Sequence, residues 1–322
     1  MGRVWALLGW GQVAKLARWR WLVWLAALGA ASQEPVYRVD VKLVRIVATA
    51  RNVAGELVGA LEKEDFLVLA DGVEQEIAVF ERRTEQPLSV ALLLDTSLST
   101  AIELRYEVES VRKFLKAFFS EGHPGDAIAL YTFNYEVTRR TGYTRRVESI
   151  EAALKRLKPE GGTSLYDALY LACEELEGRE GRRVVVVVTD GGDTTSVKGY
   201  HDALRSAHLA DAVIYPVLVM PIKNDPGRNI RGENALTGLA LGTGGRVFAP
   251  SVGPALDQAF GEILRELRTQ YLLGFYPRGV PRSKDGYHRL EVRVRRPDLQ
   301  VSARSGYYDE SAPAGRGWRA AP

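Results

Sequence analysis

The stretch Leu88-Ser-Val-Ala-Leu-Leu-Leu-Asp-Thr-Ser-Leu-Ser99 constrains this chain more than any other. It is short, apolar at nearly every position, and ends abruptly in Asp95, Ser97 and Ser99. A run without polar alternation has no face for water, so it reads as a strand covered on both sides in a parallel sheet. Open α/β sheets take their ligands outside the carboxyl ends of the strands. One carboxylate and two hydroxyls therefore stand where such a fold places its site. A second run, Val184 to Val188, ends in the same manner in Thr189-Asp190-Gly191.

From Pro87 onward the patterns of strand and helix alternate. The spacing of Leu104, Val108, Val111, Leu115 and Phe118 predicts a helix over 102–119. Other strands are expected at 126–133, 183–189, 213–220 and 245–249, with a hairpin return over 135–143. Helices are expected at 147–157, 164–176, 199–210, 234–241 and 254–268. This order predicts an α/β, Rossmann-like fold: a mainly parallel sheet with helices on both faces.

The flanks have a different character. Tyr37 to Arg51 alternates with one phase shift, the mark of a bulged strand. Asp71-Gly72 between two alternating runs predicts a hairpin. After the last helix, 270–276, 287–295 and 299–304 are again strand-like. Each flank is thin for a core of its own. The two are therefore expected to pair as a β-sandwich-like unit built from both ends of the chain. The expected organisation is a signal peptide over 1–32, an N-terminal β segment over 33–86, the α/β domain over 87–268 and a C-terminal β segment over 269–310. A tail over 311–322, rich in Ala, Pro and Gly, is expected to be disordered.

The leader places Arg3, Lys15, Arg18 and Arg20 before the apolar run Trp21 to Ala31, and small residues before Gln33. Basic, apolar and small regions in that order describe a secretory signal. The apolar run is shorter than the about 20 residues that span a bilayer. The expected location is secreted, periplasmic or cell envelope. Retention of the leader as an anchor is the alternative, and the only expected membrane contact. The lone Cys173 excludes a disulfide framework within the chain and suits a buried helix face. A net charge of +3 over 322 residues gives no reason to expect nucleic acid as a partner.

Three places at the expected rim carry oxygens: Asp95, Ser97 and Ser99; Thr163 in Gly161-Gly162-Thr163; and Asp190. All are hard ligands suited to Mg²⁺, Mn²⁺ or Ca²⁺. Each has a plain alternative. A serine or Thr163 could cap a helix, and Asp190-Gly191 could be a turn. Gathered at one rim, they call for a positive charge.

Asp-x-Ser-x-Ser at 95–99, the Gly-Gly-Thr at 161–163 and the Thr-Asp-Gly at 189–191 together resemble the metal-ion-dependent adhesion site (MIDAS) of von Willebrand factor A-type (VWFA) domains. The resemblance covers about 87–268. It extends to Leu239-Ala-Leu-Gly-Thr-Gly-Gly-Arg-Val-Phe248, which is similar to that family's last helix-to-strand turn. With its leader and a C-terminal stretch from Gly274-Phe-Tyr-Pro277 to Arg304-Ser-Gly-Tyr-Tyr308, the whole is similar to secreted bacterial proteins of the VWFA-related group. The resemblance implies an ion held directly by Ser97, Ser99 and Thr163, with Asp95 and Asp190 acting partly through water. Magnesium is the first expectation, Mn²⁺ or Ca²⁺ the alternatives.

The chemistry of such a site points to binding or adhesion rather than catalysis. Neutral hydroxyls under-compensate a divalent ion, which then attracts an Asp or Glu carboxylate from a protein partner. His123, His201, His208 and His288 belong to none of the three motif segments, so no base joins them. A metal-free structural or scaffold module of the envelope is the alternative. A phosphohydrolase with Asp95 as nucleophile would need a second acid two residues on, where Ser97 stands.

Overall fold

The structure, a computed structural model, describes residues 42–82, 86–120, 122–220 and 229–309. The expected leader, the start of the first strand at Tyr37–Val41 and the expected tail lie outside the described residues. Strand β1 (Val44–Asn52) opens the N-terminal flank. Strand β2 (Phe66–Ala70) turns through Asp71-Gly72 into β3 (Val73–Gln75), and β4 (Ile77–Arg82) follows. Both turn residues have positive φ, 48° and 83°, the geometry that matches the twist of a two-residue hairpin. Glycine accepts it freely. Asp71 is held there by its carboxylate, which accepts from the Arg289 N–H at 2.8 Å and meets His288 Nδ1 at 2.7 Å.

The central strand is β5 (Leu88–Asp95), buried at every position. Helix α1 (Leu104–Ser120) leads from its end to β6 (Ala127–Phe133), which lies parallel to β5 with Leu92 opposite Leu130. β7 (Val137–Thr144) returns antiparallel along β6. Helices α2 (Val147–Leu154) and α3 (Leu165–Glu177) precede β8 (Arg182–Thr189), parallel to β5 on its other side. Helix α4 (Tyr200–Leu209) leads to β9 (Ala212–Leu218), so the sheet order is β7-β6-β5-β8-β9. Helices α5 (Ile230–Thr243) and α6 (Pro254–Leu267) complete the α/β part.

Alternation along β5 sorts its side chains to two cores. Val90, Leu92 and Leu94 pack with Val111, Phe114 and Phe118 of α1 and Phe260 and Ile263 of α6. Ala91 and Leu93 pack with Leu165 and Leu169 of α3, Ala203 of α4 and Leu236 of α5. Cys173 is fully buried in that second core, and burial pushes its thiol up to about 12.

Two sequence expectations are corrected here. Helix α5 begins four residues before the expected Asn234, because the Asn229 side chain accepts from Gly232 N–H at 2.9 Å and starts it there. Residues 245–249 form no strand, only an isolated bridge at Phe248 against Val217. Phe248 donates to the Pro216 carbonyl at 2.9 Å and accepts from Leu218 at 2.7 Å. Pro216 therefore turns its ring nitrogen to that edge, where the ladder lacks a donor and cannot continue.

The C-terminal flank supplies β10 (Tyr271–Phe275), β11 (Tyr287–Val294), β12 (Leu299–Ala303) and β13 (Gly306–Tyr308). They join the N-terminal strands in two antiparallel sheets, β12-β1-β10-β4 and β13-β11-β2-β3. Ile46 lies opposite Leu273, and Val68 opposite Val292. Ile46, Phe66, Val68, Tyr271, Leu273 and Leu290 share one core between the sheets.

A buried polar junction ties this sandwich to the α/β part. Glu266, fully buried at the end of α6, accepts from Tyr215 Oη at 3.0 Å and Arg246 Nε at 3.1 Å. It also accepts from the Arg51 guanidinium of β1 and, at 3.4 Å, from Thr49 Oγ1. Replacing Glu266 with Ala leaves two guanidinium groups and a tyrosine hydroxyl without that acceptor. The expected cost is about 3–5 kcal/mol in urea unfolding, the range for breaking a buried ion pair from one side. Deleting 287–309 should leave β2 without its neighbour β11, with only the short β3 beside it. Amide exchange over 66–75 should then rise sharply while 88–94 and 184–188 stay protected.

Candidate metal centre

The site is built from the end of β5. Asp95 is fully buried, and its two carboxylate oxygens accept different donors. Oδ1 takes the Ser97 N–H at 2.8 Å, and Oδ2 takes the Thr189 hydroxyl at 2.6 Å. The first bond turns the chain sharply after the strand. The second ties the ends of β5 and β8 together. Thr100 Oγ1 closes the turn by donating to the carbonyls of Asp95 at 3.1 Å and Ser97 at 3.0 Å. The turn brings Ser97 Oγ and Ser99 Oγ to 2.9 Å from each other. Ser97 stands at the N-cap position of the short 3-10 turn Leu98–Thr100, but its side chain caps nothing.

The loop with Thr163 is laid against the same turn. Ser97 and Glu160 form a parallel bridge, and the Glu160 N–H donates to the Thr96 carbonyl at 2.8 Å. Thr163 is buried, and its backbone is bonded to a neighbouring loop: its N–H donates to Thr194 Oγ1 at 2.9 Å and its carbonyl accepts from Thr194 N–H at 2.8 Å. Its side-chain hydroxyl takes no part in these bonds. Ser164 occupies the N-cap position of α3 without capping it. Asp193 does that work instead: its Oδ1 accepts from the Leu165 N–H at 2.9 Å and the Tyr166 N–H at 3.3 Å. Sequence reasoning missed Asp193, because its partner helix begins 28 residues earlier in the chain.

Asp190 is half-buried beyond β8, with Oδ1 accepting from the Gly192 N–H at 3.3 Å. Behind it the chain passes very close to α5. A Cβ on Gly232 would stand 1.5 Å from the Gly191 carbonyl oxygen, so only glycine fits there.

One further acid was not anticipated. Glu107, on the core-facing stripe of α1 one turn before Val111, is fully buried. Neither carboxylate oxygen has a hydrogen-bond partner among the described residues. Burial pushes its pKa well above the usual range, and the charges of Asp95, Glu103 and Asp190 push it further. Asp95 is likewise pushed up to about 6, chiefly by burial, against the pull of its hydrogen bonds. Among the described residues no lysine, arginine or histidine forms an ion pair with Asp95, Glu107 or Asp190. Buried like charges without a counter-charge are costly. A divalent cation is the kind of group this donor set fits. No three Asp, Glu, His or Cys side chains among the described residues are grouped so as to hold an ion. Hydroxyls would have to supply the direct contacts.

The histidines are occupied elsewhere. His208 Nε2 meets the Gly242 carbonyl at 2.8 Å, His288 meets Asp71, and His123 Nδ1 accepts from Gly125 N–H at 2.9 Å. His201 packs edge-on to Tyr200.

Residues 90–192 match the family model of the von Willebrand factor type A domain. Among solved structures, the von Willebrand factor domain of the type V pili tip protein Mfa5 from Porphyromonas gingivalis is similar at 15% identity, covering 62% of this chain and 98% of that one with a TM-score of 0.48. An aerotolerance-related membrane protein from Bacteroides fragilis is similar at 19% identity, covering 56% and 98% with a TM-score of 0.43. The pilus adhesin SpaC from Lactobacillus rhamnosus is similar at 9% identity, covering 75% and 47% with a TM-score of 0.47. No curated protein matches the chain.

The raised pKa of Asp95 has a defined sign in stability. The folded state holds this proton up to about pH 6, whereas an ordinary carboxyl releases it near 3.8. Stability of metal-free protein therefore falls as pH rises through that window, by up to about 3 kcal/mol. Glu107 acts in the same direction. Chelator-treated protein should unfold at higher urea concentration at pH 5 than at pH 7. Asp95→Asn should flatten that difference, and an equal slope in both proteins would contradict the assignment.

Proposed function

We propose that the α/β domain binds a protein partner through a divalent cation at the rim of the sheet. Ser97, Ser99 and Thr163 would hold the ion, with Asp95 and Asp190 acting through water. Mg²⁺ suits the set best, ahead of Mn²⁺. Ca²⁺ prefers more ligands at longer distance. The observation that carries the reading is geometric: Ser97 Oγ and Ser99 Oγ stand 2.9 Å apart at the turn held by the buried Asp95 carboxylate, which has no ion-pair partner among the described residues.

The chain's own residues have separate parts in this. The Ser97 N–H and the Thr189 hydroxyl fix the Asp95 carboxylate, so its position is set before any ligand arrives. The bridge between Ser97 and Glu160 sets the Thr163 loop beside the serines. When bound, the ion would supply positive charge facing solvent and an open position for an oxygen ligand. A carboxylate from a partner's Asp or Glu is the ligand that such a charge selects. The role is adhesion or assembly rather than turnover, since no histidine belongs to the three motif segments. The basic, apolar and small regions of 1–32 support export, which places that role in the envelope or outside the cell.

Calorimetry of Mg²⁺ into the purified protein tests this directly. Wild type should bind, and Asp190→Ala should bind about 10–100-fold more weakly, the usual loss for an outer ligand. Ser97→Ala should lose at least as much. Neither change should lower the unfolding midpoint much, because the rim contributes little to the apolar core. Equal affinity in all three proteins would leave the metal-free scaffold reading in place.

A further inference from the structure

A cavity lies at the other end of the central sheet, where strands β8 and β9 begin and the sandwich is docked. It holds about 440 Å³ of space, part of it open to solvent. Its wall takes Arg45 from β1, Arg182 from the start of β8, His208 from α4, Asp211 before β9 and Arg304 after β12. Both Nη atoms of Arg304 are taken. Nη1 donates to Asp211 Oδ1 at 2.5 Å, and Nη2 donates to the Arg45 carbonyl. Its Nε is buried and has no hydrogen-bond partner among the described residues. The residue is only 8% exposed, so bulk water does not serve this donor.

The balance of charge points the same way. Asp211 is the only acid among the described residues of the wall, and it also stands 3.9 Å from the Arg183 guanidinium. Arg45 forms no ion pair among the described residues. Its Nη2 donates instead to the neutral Gln86 Oε1 at 2.6 Å. Burial pushes Arg182 down to about 10. Burial also pushes Arg183 below its usual value, and the charge of Arg45 adds to this against the pull of Asp211. A water molecule could satisfy a lone N–H, but it would leave the buried positive charge uncompensated.

We propose that this cavity is a binding site for a small oxyanion of the phosphate type, held between the sandwich and the α/β part. Guanidinium groups present N–H donors in a planar fork that matches the oxygens of such an ion, and they stay charged at any working pH. Arg304 supplies a donor through Nε, and Arg45 supplies charge from β1. The ion ties the sandwich to the start of β8, so its binding stabilises the junction by mass action. The site lies at the opposite end of the strands from the oxygen rim and does not rest on the metal reading.

The test uses the full-length protein, treated with chelator and dialysed into a buffer without phosphate or sulfate. Sodium phosphate is titrated in by calorimetry, with sodium chloride at matched ionic strength as the reference. Wild type should bind a single phosphate, and phosphate should raise the thermal unfolding midpoint above its value in chloride. Arg45→Gln should bind phosphate about tenfold more weakly or worse, the loss that goes with one hydrogen bond to a charged group. Its midpoint in chloride should stay near that of wild type, which shows that it is folded. Arg304→Gln should lose binding too, but it also strips Asp211 of its partner, so Arg45→Gln is the deciding variant. Arg278→Gln, altered on the exposed surface, should bind as wild type does. Tighter binding of inorganic phosphate than of glycerol phosphate assigns the site to the free ion, and the reverse assigns it to a phosphate ester. Both results support the oxyanion site. Absence of binding heat with an unchanged midpoint, an equal rise in chloride, or unchanged binding by Arg45→Gln overturns it. Equal weakening by Arg278→Gln overturns it in favour of general surface charge.

Discussion

The desolvated carboxylate of Asp95 is the constraint that the site depends on. It ends a strand with no exposed residue, so water cannot satisfy it. The chain meets that demand by bending Ser97 back onto one oxygen and reaching Thr189 across from the next strand to the other. Each of those donors then fixes something else. The Ser97 bend sets the distance between the two serine hydroxyls, and Thr189 also accepts the Gly191 N–H at 3.1 Å, which shapes the approach to Asp190. A rim that looks like a set of independent loops is one hydrogen-bonded structure around a single buried charge.

That structure was partly legible in the sequence and partly not. Strands β5 and β8 announced themselves because burial on both faces leaves no room for polar residues. The Asp71-Gly72 hairpin did so because few residues tolerate its backbone. Asp95, Ser97, Ser99 and Asp190 were singled out as candidates because oxygens ending apolar strands stand out, and Thr163 because it follows Gly161-Gly162. Asp193 and Glu107 were not. Asp193 reads as one more loop acid, and its partner helix is distant in the chain. Glu107 looks like an ordinary surface position of α1 until the helix is docked. Only then is it seen to be fully buried beside Val111 and Phe114. The lost strand at 245–249 shows the converse limit: a proline in the neighbouring β9 decides the outcome, and no pattern within 245–249 records it.

The sandwich and the α/β part are joined by polar groups as well as by Val47 of β1, which packs against the core of Val90, Leu92 and Leu94. Gln270 donates to Tyr215 Oη at 2.9 Å and to Thr49 Oγ1 at 3.3 Å, so it joins the groups gathered around Glu266. Arg182 reaches from the start of β8 to the Leu267 carbonyl at the end of α6. Hydrogen bonds are directional where apolar contact is not. A junction of this kind holds the last helix at one rotation and one height relative to β1. The same helix packs through Phe260 against Phe114 of α1, with ring centroids 5.1 Å apart.

The pairing of the two flanks sets an order of assembly on a growing polypeptide. Thr49 and Gln270, bonded in the finished protein, are 221 positions apart. At common rates of synthesis β1 waits roughly 10–40 s for the strands that cover its edges. Residues 88–267 can assemble in that interval from contacts much nearer in sequence. Once formed, that part brings its two ends to the same side of the sheet: the Arg182 N–H bonds the Pro87 carbonyl at 2.9 Å while its guanidinium holds Leu267. The entropy of closing a loop of nearly two hundred residues is thereby spent before the flanks meet. The α/β part thus serves as an internal clamp that lets a sandwich form from the first and last strands of the chain.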